Sequence, residues 1–172
     1  PLRRFGAGIQ FHPLDEGSHL IESFRLKTLY LNHPSATLGY VIMHRGKTIA
    51  YVTDNEFITN FTLKPQSDRY AQFDEYNLKV INFIQGADLV IIDAQYTKDE
   101  YASKQGWGHS HYETVLDVVL AAEVKRCVLF HHDPARTDAE LDRIVAHCHE
   151  IIRQRGSSME CRGGEEGSVI VL

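Results

Sequence analysis

The sequence predicts an α/β fold, one mixed sheet carrying helices on its faces. Three observations carry that expectation. Apolar residues alternate through the first half, as half-buried antiparallel strands require, and a helical spacing takes over after residue 73. The runs Leu89 to Ile92 and Cys127 to Phe130 then each lead towards a helical segment, the order in which strands covered on both faces occur.

In chain order, strands are predicted at Gly8 to Phe11, Phe24 to Leu31, Leu38 to Met43 and Thr48 to Thr53. The last two should form a hairpin turning at His44, Arg45, Gly46 and Lys47, where Gly46 can adopt the positive φ of a short antiparallel connection. A polar loop with Pro65 follows from Asn60 to Asp68. Tyr76, Val80, Ile81 and Ile84 then recur at helical spacing within Phe73 to Gln85, which stops at Gly86. After the strand at Leu89, a glycine- and aromatic-rich loop from Gln105 to His109 leads into a helix from about His111 to Glu123. The strand ending at Phe130 gives way to His131 and His132. Thr137 or Asp138 caps a long helix reaching about Gln154, and a last strand is expected at Val169 to Leu172, paired with a short one near Met159.

Composition bounds the function. A chain of 172 residues with 43% hydrophobic and 24% charged residues is expected to form one compact domain. The formal charge is −5 and the Lys and Arg residues are scattered, so the basic face that duplex nucleic acid demands is missing. A small anionic substrate stays open if metal supplies the positive charge. No apolar run approaches the roughly 20 residues of a membrane span, and no signal-peptide pattern opens the chain. Cys127, Cys148 and Cys161 are odd in number and lack CxxC spacing, so neither a disulfide framework nor a zinc knuckle is expected, and a reducing cytoplasm fits.

His33, Asp54, Asp93 and His131 each directly follow a predicted strand, at the sheet edge where α/β proteins gather their chemistry. Imidazole and carboxylate suit zinc and similar ions, and a carboxylate can bridge two of them. Taken alone, Asp54 could equally begin a turn before Asn55. His147 and His149 stand two residues apart on a helix, pointing in different directions, which disfavours joint ligation. Trp107 and Tyr112 read equally well as packing or as walls of a pocket, and Arg136 could bind an anion.

The ordered motifs Asn32-His33-Pro34, Leu38-Gly39-Tyr40, Tyr51-Val52-Thr53-Asp54, Gly108-His109-Ser110 and Leu129-Phe130-His131 resemble the second half of metallo-β-lactamase-fold hydrolases. The similarity is greatest to the phosphodiesterase-like branch that includes ribonuclease Z. It implies the C-terminal half of an αββα sandwich and a metal-dependent hydrolase, most simply a phosphodiesterase using a metal-activated water and two divalent ions, zinc foremost, with manganese or iron as alternatives. It further implies that His33 and His131 each bind one metal and that Asp54 bridges both. His109 would contact phosphate or protonate the leaving group, Asp93 would support it, and His111 and His132 would lie beside the site.

The family's HxHxDH motif is absent, since His109-Ser110-His111 and His147-Cys148-His149 do not continue into Asp-His. The start at Pro1 is compatible with removal of an initiator Met or with a sequence that begins inside a larger protein. The expectation is therefore a single partial domain over residues 1–172, with weak or partial metal occupancy by itself. Its sheet would expose an apolar face that needs the missing half or a second copy. The alternatives are a non-catalytic half-domain retained for assembly or regulation, and a di-iron oxygen-handling protein on the same fold.

Overall fold

The computed structural model describes residues 11–58 and 73–172. Most of the strand expected at Gly8 to Phe11 and the polar loop of Asn60 to Asp68 lie outside the described residues. Seven strands form one sheet in sequence order: β1 (Gly17–Ile21), β2 (Phe24–Tyr30), β3 (Leu38–His44), β4 (Lys47–Val52), β5 (Leu89–Asp93), β6 (Arg126–Phe130) and β7 (Glu160–Gly163). The first four pair antiparallel and the last four parallel, so the sheet is mixed as expected. Parallel pairing requires crossovers, and these carry α1 (Glu75–Ile84), α2 (Lys98–Tyr101), α3 (Tyr112–Ala121) and α4 (Asp138–Gln154).

Local chemistry sets the boundaries. The β3–β4 hairpin closes through Arg45 and Gly46 at φ 48 and 77, the pair of left-handed residues that a two-residue hairpin turn needs. Asp74 caps α1 by accepting from the Asn77 N–H, and the Thr97 and Glu100 side chains form a capping box on α2. At the lower end of the sheet, Asp88 accepts from the Thr48 N–H at 2.9 Å and from Lys125 Nζ at 2.8 Å, tying the entrances of β4, β5 and β6 together.

The pairing register divides the sheet into two faces. Val41, Ala50, Val52, Val90, Ile92, Cys127, Leu129 and Cys161 look towards the helices and join Val80, Ile81, Val115, Leu116, Val119, Ile144 and Cys148 in the core. Tyr40, Ile42, Ile49, Tyr51, Ile91 and Phe130 occupy the opposite face and stay outside that core, partly or fully exposed. Among the described residues, no helix joins them.

The structure departs from the expected elements in two places. Val169 to Leu172 is not a strand: the place beside β6 is taken by β7, while Val169 and Val171 are exposed and the tail is tied by Arg126 Nη1 donating to the Val171 carbonyl. β1 was not expected, because its polar, mostly exposed Gly-Ser-His-Leu-Ile run lacks clean alternation. It exists as an edge strand because the Thr28 hydroxyl and the Tyr30 N–H and hydroxyl bond to Asp15 and Glu16 just ahead of it.

Candidate metal centre

The C-terminal ends of β4, β5 and β6 deliver Asp54, Asp93 and His131 to one edge of the sheet, and the turn after β2 adds His33. Asp54 is central. Its Oδ2 lies 3.9 Å from His33 Nε2 and its Oδ1 lies 3.6 Å from His131 Nε2, so one carboxylate turns a different oxygen towards each imidazole. Both gaps exceed hydrogen-bond length. They are close to the separation of about 3.4 Å that two ligand atoms adopt on one tetrahedral zinc with bonds of about 2.0 to 2.1 Å.

Each imidazole is positioned by its surroundings. His33 Nδ1 sits among the Ser35 N–H at 3.1 Å, the Ser35 carbonyl at 3.3 Å and the Thr37 hydroxyl at 3.1 Å, which leaves Nε2 for Asp54. Its ring lies against Gly108, where an added Cβ would fall 2.2 Å from His33 Cδ2 and 2.6 Å from Pro34 Cδ. With φ +89 as well, that position requires glycine. His131 is held at φ 55, a left-handed conformation that non-glycine residues adopt at a cost, and its Nδ1 is buried with no hydrogen-bond partner among the described residues.

His109 stacks on His131 at 4.8 Å between ring centroids, and its Nδ1 is 2.7 Å from Asp93 Oδ2. Asp93 is 1% exposed. Its Oδ2 also accepts from the Asn55 N–H and its Oδ1 from the Gln95 N–H. Asp54, Asp93, His109 and His131 each offer a donor atom within 4.8 Å of the others. The carboxylate of Asp93 is nevertheless filled by three hydrogen bonds, which fits an orienting group better than a ligand. That hydrogen bond raises the His109 pKa against the opposing effect of burial, while burial raises that of Asp93.

The remaining histidines separate clearly. His111 caps α3, its Nδ1 accepting from the Thr114 N–H and its Nε2 lying 2.8 Å from the Thr114 hydroxyl. His132 turns towards β7, where a Cβ on Gly163 would come 3.9 Å from its Nε2, and burial lowers its pKa. His147 Nδ1 meets the Tyr112 hydroxyl and His149 Nε2 the Cys161 carbonyl. Arg136 is bound to Glu100 and to the Gln95 carbonyl.

Sequence reasoning missed the residues that bolt these loops together. Glu56 is buried, and its Oε1 accepts from the Tyr101 hydroxyl and the Gly106 N–H while its Oε2 accepts from the Gly108 N–H. Asn32 and Glu56 exchange hydrogen bonds, and Ser110 bridges the Asn55 carbonyl to the Phe57 N–H. The signal available was Asn55-Glu56 directly after Asp54, polar residues leading into the apolar Phe57.

A family model described as a beta-lactamase superfamily domain matches residues 4–132. No curated protein matches the sequence. Among solved structures, the metallo-beta-lactamase fold protein YhfI from Bacillus subtilis is similar with a TM-score of 0.68 at 18% identity, covering 96% of this chain and 56% of its own. The short form of human tRNase Z gives 0.59 at 18%, covering 90% and 47%. A diphosphatase from the PhnP family gives 0.60 at 10%, covering 95% and 49%. The chain thus spans about half the length of each.

Proposed function

The chain belongs to the beta-lactamase superfamily, and from that premise we propose that it carries part of the centre of a metal-dependent hydrolase that cleaves phosphodiesters. The observation that supports this most is Asp54, whose two oxygens each face a different imidazole nitrogen beyond hydrogen-bond reach. These are ion-pair separations longer than hydrogen bonds, and they leave room for cations shared between the carboxylate and each imidazole. His33 and His131 would each hold one divalent ion and Asp54 would bridge the two. The donor chemistry favours zinc and also admits manganese or iron. When bound, such ions supply Lewis acidity, a water acidified towards neutrality, and positive charge that compensates an anionic substrate.

The chain's own side chains do the rest. The buried Asp93 carboxylate fixes His109 through Nδ1, so the only ring nitrogen left for substrate is Nε2. The same hydrogen bond raises the His109 pKa, which suits a group that would donate a proton to the leaving oxygen. Stacking on His131 keeps that proton beside the Asp54 cradle. Three protein ligands divided between two ions are too few for tight binding. The proposal therefore includes a further segment, from an N-terminal half or a second copy, that completes the coordination and covers the bare sheet face.

Zinc- or manganese-loaded protein, assayed on bis(4-nitrophenyl) phosphate and on 4-nitrophenyl acetate, tests the reading. Diester turnover that H109N lowers by about 10²-fold is expected. Turnover of the carboxylic ester alone, or diester hydrolysis indifferent to H109N, contradicts it.

A further inference from the structure

On the helix-facing side of the sheet, the three cysteines of the chain converge. Cys127 and Cys161 are Cα partners on the adjacent parallel strands β6 and β7, which sets their backbones about 4.8 Å apart, within the range a disulfide spans. Cys148 belongs to the buried stripe of α4 with Ile144 and Ile152. All three are free thiols, and all three are buried.

Cys161 stands in the middle. It is paired with Cys127 across the sheet, and α4, which carries Cys148, packs on β7 with His149 Nε2 2.6 Å from the Cys161 carbonyl. The neighbouring thiols lower the Cys161 pKa, whereas those of Cys127 and Cys148 are raised, by Cys161 first and then by burial. Cys161 is also the most accessible of the three, at 6% exposure, and it sits on a four-residue edge strand flanked by exposed Glu160 and Arg162. Short edge strands open locally at less cost than central ones, which gives a small oxidant a route to it.

We propose that Cys161 is an oxidation site that closes an intramolecular disulfide with one of its two neighbouring thiols, taking hydrogen peroxide or an organic hydroperoxide as co-reactant. The Cys161 thiolate attacks one peroxide oxygen and the O–O bond breaks. The sulfur becomes a sulfenic acid and the other oxygen leaves, as water once protonated when the oxidant is hydrogen peroxide. The thiol of Cys127 or Cys148 then attacks the sulfenic sulfur, the S–O bond breaks, and a water leaves as the S–S bond forms. Two thiols are oxidised by two electrons and one peroxide is reduced. The cross-link fixes β7, already held by His149 Nε2 on the Cys161 carbonyl, to the sheet or to α4. Cys127 lies four residues before His131, about 13 Å along an extended chain, so the cross-link leaves the Asp54 cradle in place.

The test uses the whole chain, fully reduced, exposed to stepwise hydrogen peroxide, then denatured, alkylated and mapped without reductant. Free thiols should fall from the initial three to one, with every cross-linked peptide containing Cys161. C161S should keep both of its thiols at peroxide levels that oxidise wild type, whereas C127S and C148S should each still lose two. Retention of all three thiols in folded wild type overturns the proposal, as does a Cys127–Cys148 cross-link, oxidation to sulfinic acid without cross-linking, or C161S oxidising like wild type. Should C161S fail to fold by circular dichroism, the wild-type peptide map decides alone.

Discussion

His131 is the residue where conformation and chemistry conflict most openly. Its φ of 55 puts a β-carbon where L residues are crowded, at a cost of roughly 1–2 kcal/mol. Glycine would relieve that cost and remove the imidazole, whereas alanine removes the imidazole and keeps the strain. H131G should therefore be more stable than H131A by about 1 kcal/mol in urea unfolding, with neither retaining metal. Equal stability of the two would mean that the backbone there is not strained. Asp93 supports a second expectation, concerning pH. Its hydrogen bond raises the His109 pKa, so the protonated form should persist above the ordinary histidine value near 6.5 and be lost as pH climbs through the raised value. In D93N the alkaline limb of diester hydrolysis should move to lower pH and the maximal rate should fall. An unmoved limb would show that Asp93 does not set it. That His33, Asp54 and His131 meet at one edge of the sheet was legible in the sequence, because each follows a strand within an ordered set of motifs. The positive φ of His131 was not, because no residue type announces it.

Elements are most legible where pattern and local chemistry agree. The β3–β4 hairpin, α1 and α4 lie close to their expected bounds, since alternation, helical spacing and caps each point the same way. The edge strand β1 and the four-residue helix α2 were missed. One is held by side-chain bonds from its neighbour, and the other is too short for periodicity, although its Thr97 to Glu100 capping box was visible. That Gly106, Trp107 and Gly108 lie in a loop is legible in the sequence; the anchor of that loop is not. Removing the Glu56 carboxylate leaves the Tyr101 hydroxyl and the Gly106 and Gly108 N–H groups without their acceptor. E56A should accordingly cost about 3 kcal/mol or more by chemical denaturation, and reduce hydrolysis beyond any loss of fold, because Gly108 packs against His33 and precedes His109. Full activity in a folded E56A protein would show that the loop keeps its place without the clamp.

At the scale of the whole molecule, helices cover one face of the sheet and, among the described residues, none covers the other. Helices cover the side bearing Val41, Val52, Ile92 and Leu129, whereas Tyr40, Ile42, Ile49, Tyr51, Ile91 and Phe130 form an apolar surface outside the core. The proposed completing segment would serve both this face and the centre at Asp54. The chain alone should then self-associate in sedimentation as concentration rises, and I49K should reduce that association with little cost in stability. A monomer at all concentrations would argue that this surface tolerates water. The mixed sheet was foreseeable from the rhythm of the sequence. The bolting of the site by Asn32, Asn55 and Glu56 was not, because those contacts join residues far apart in the chain.

The most direct test of the central claim is zinc titration of the full chain followed by calorimetry, comparing wild type with H33A, D54A and H131A and with H19A as a control away from the site. The account predicts measurable binding in wild type and H19A, with at least a tenfold loss in each of the other three, largest for D54A because that carboxylate serves both imidazoles. Wild-type affinity in D54A would contradict it.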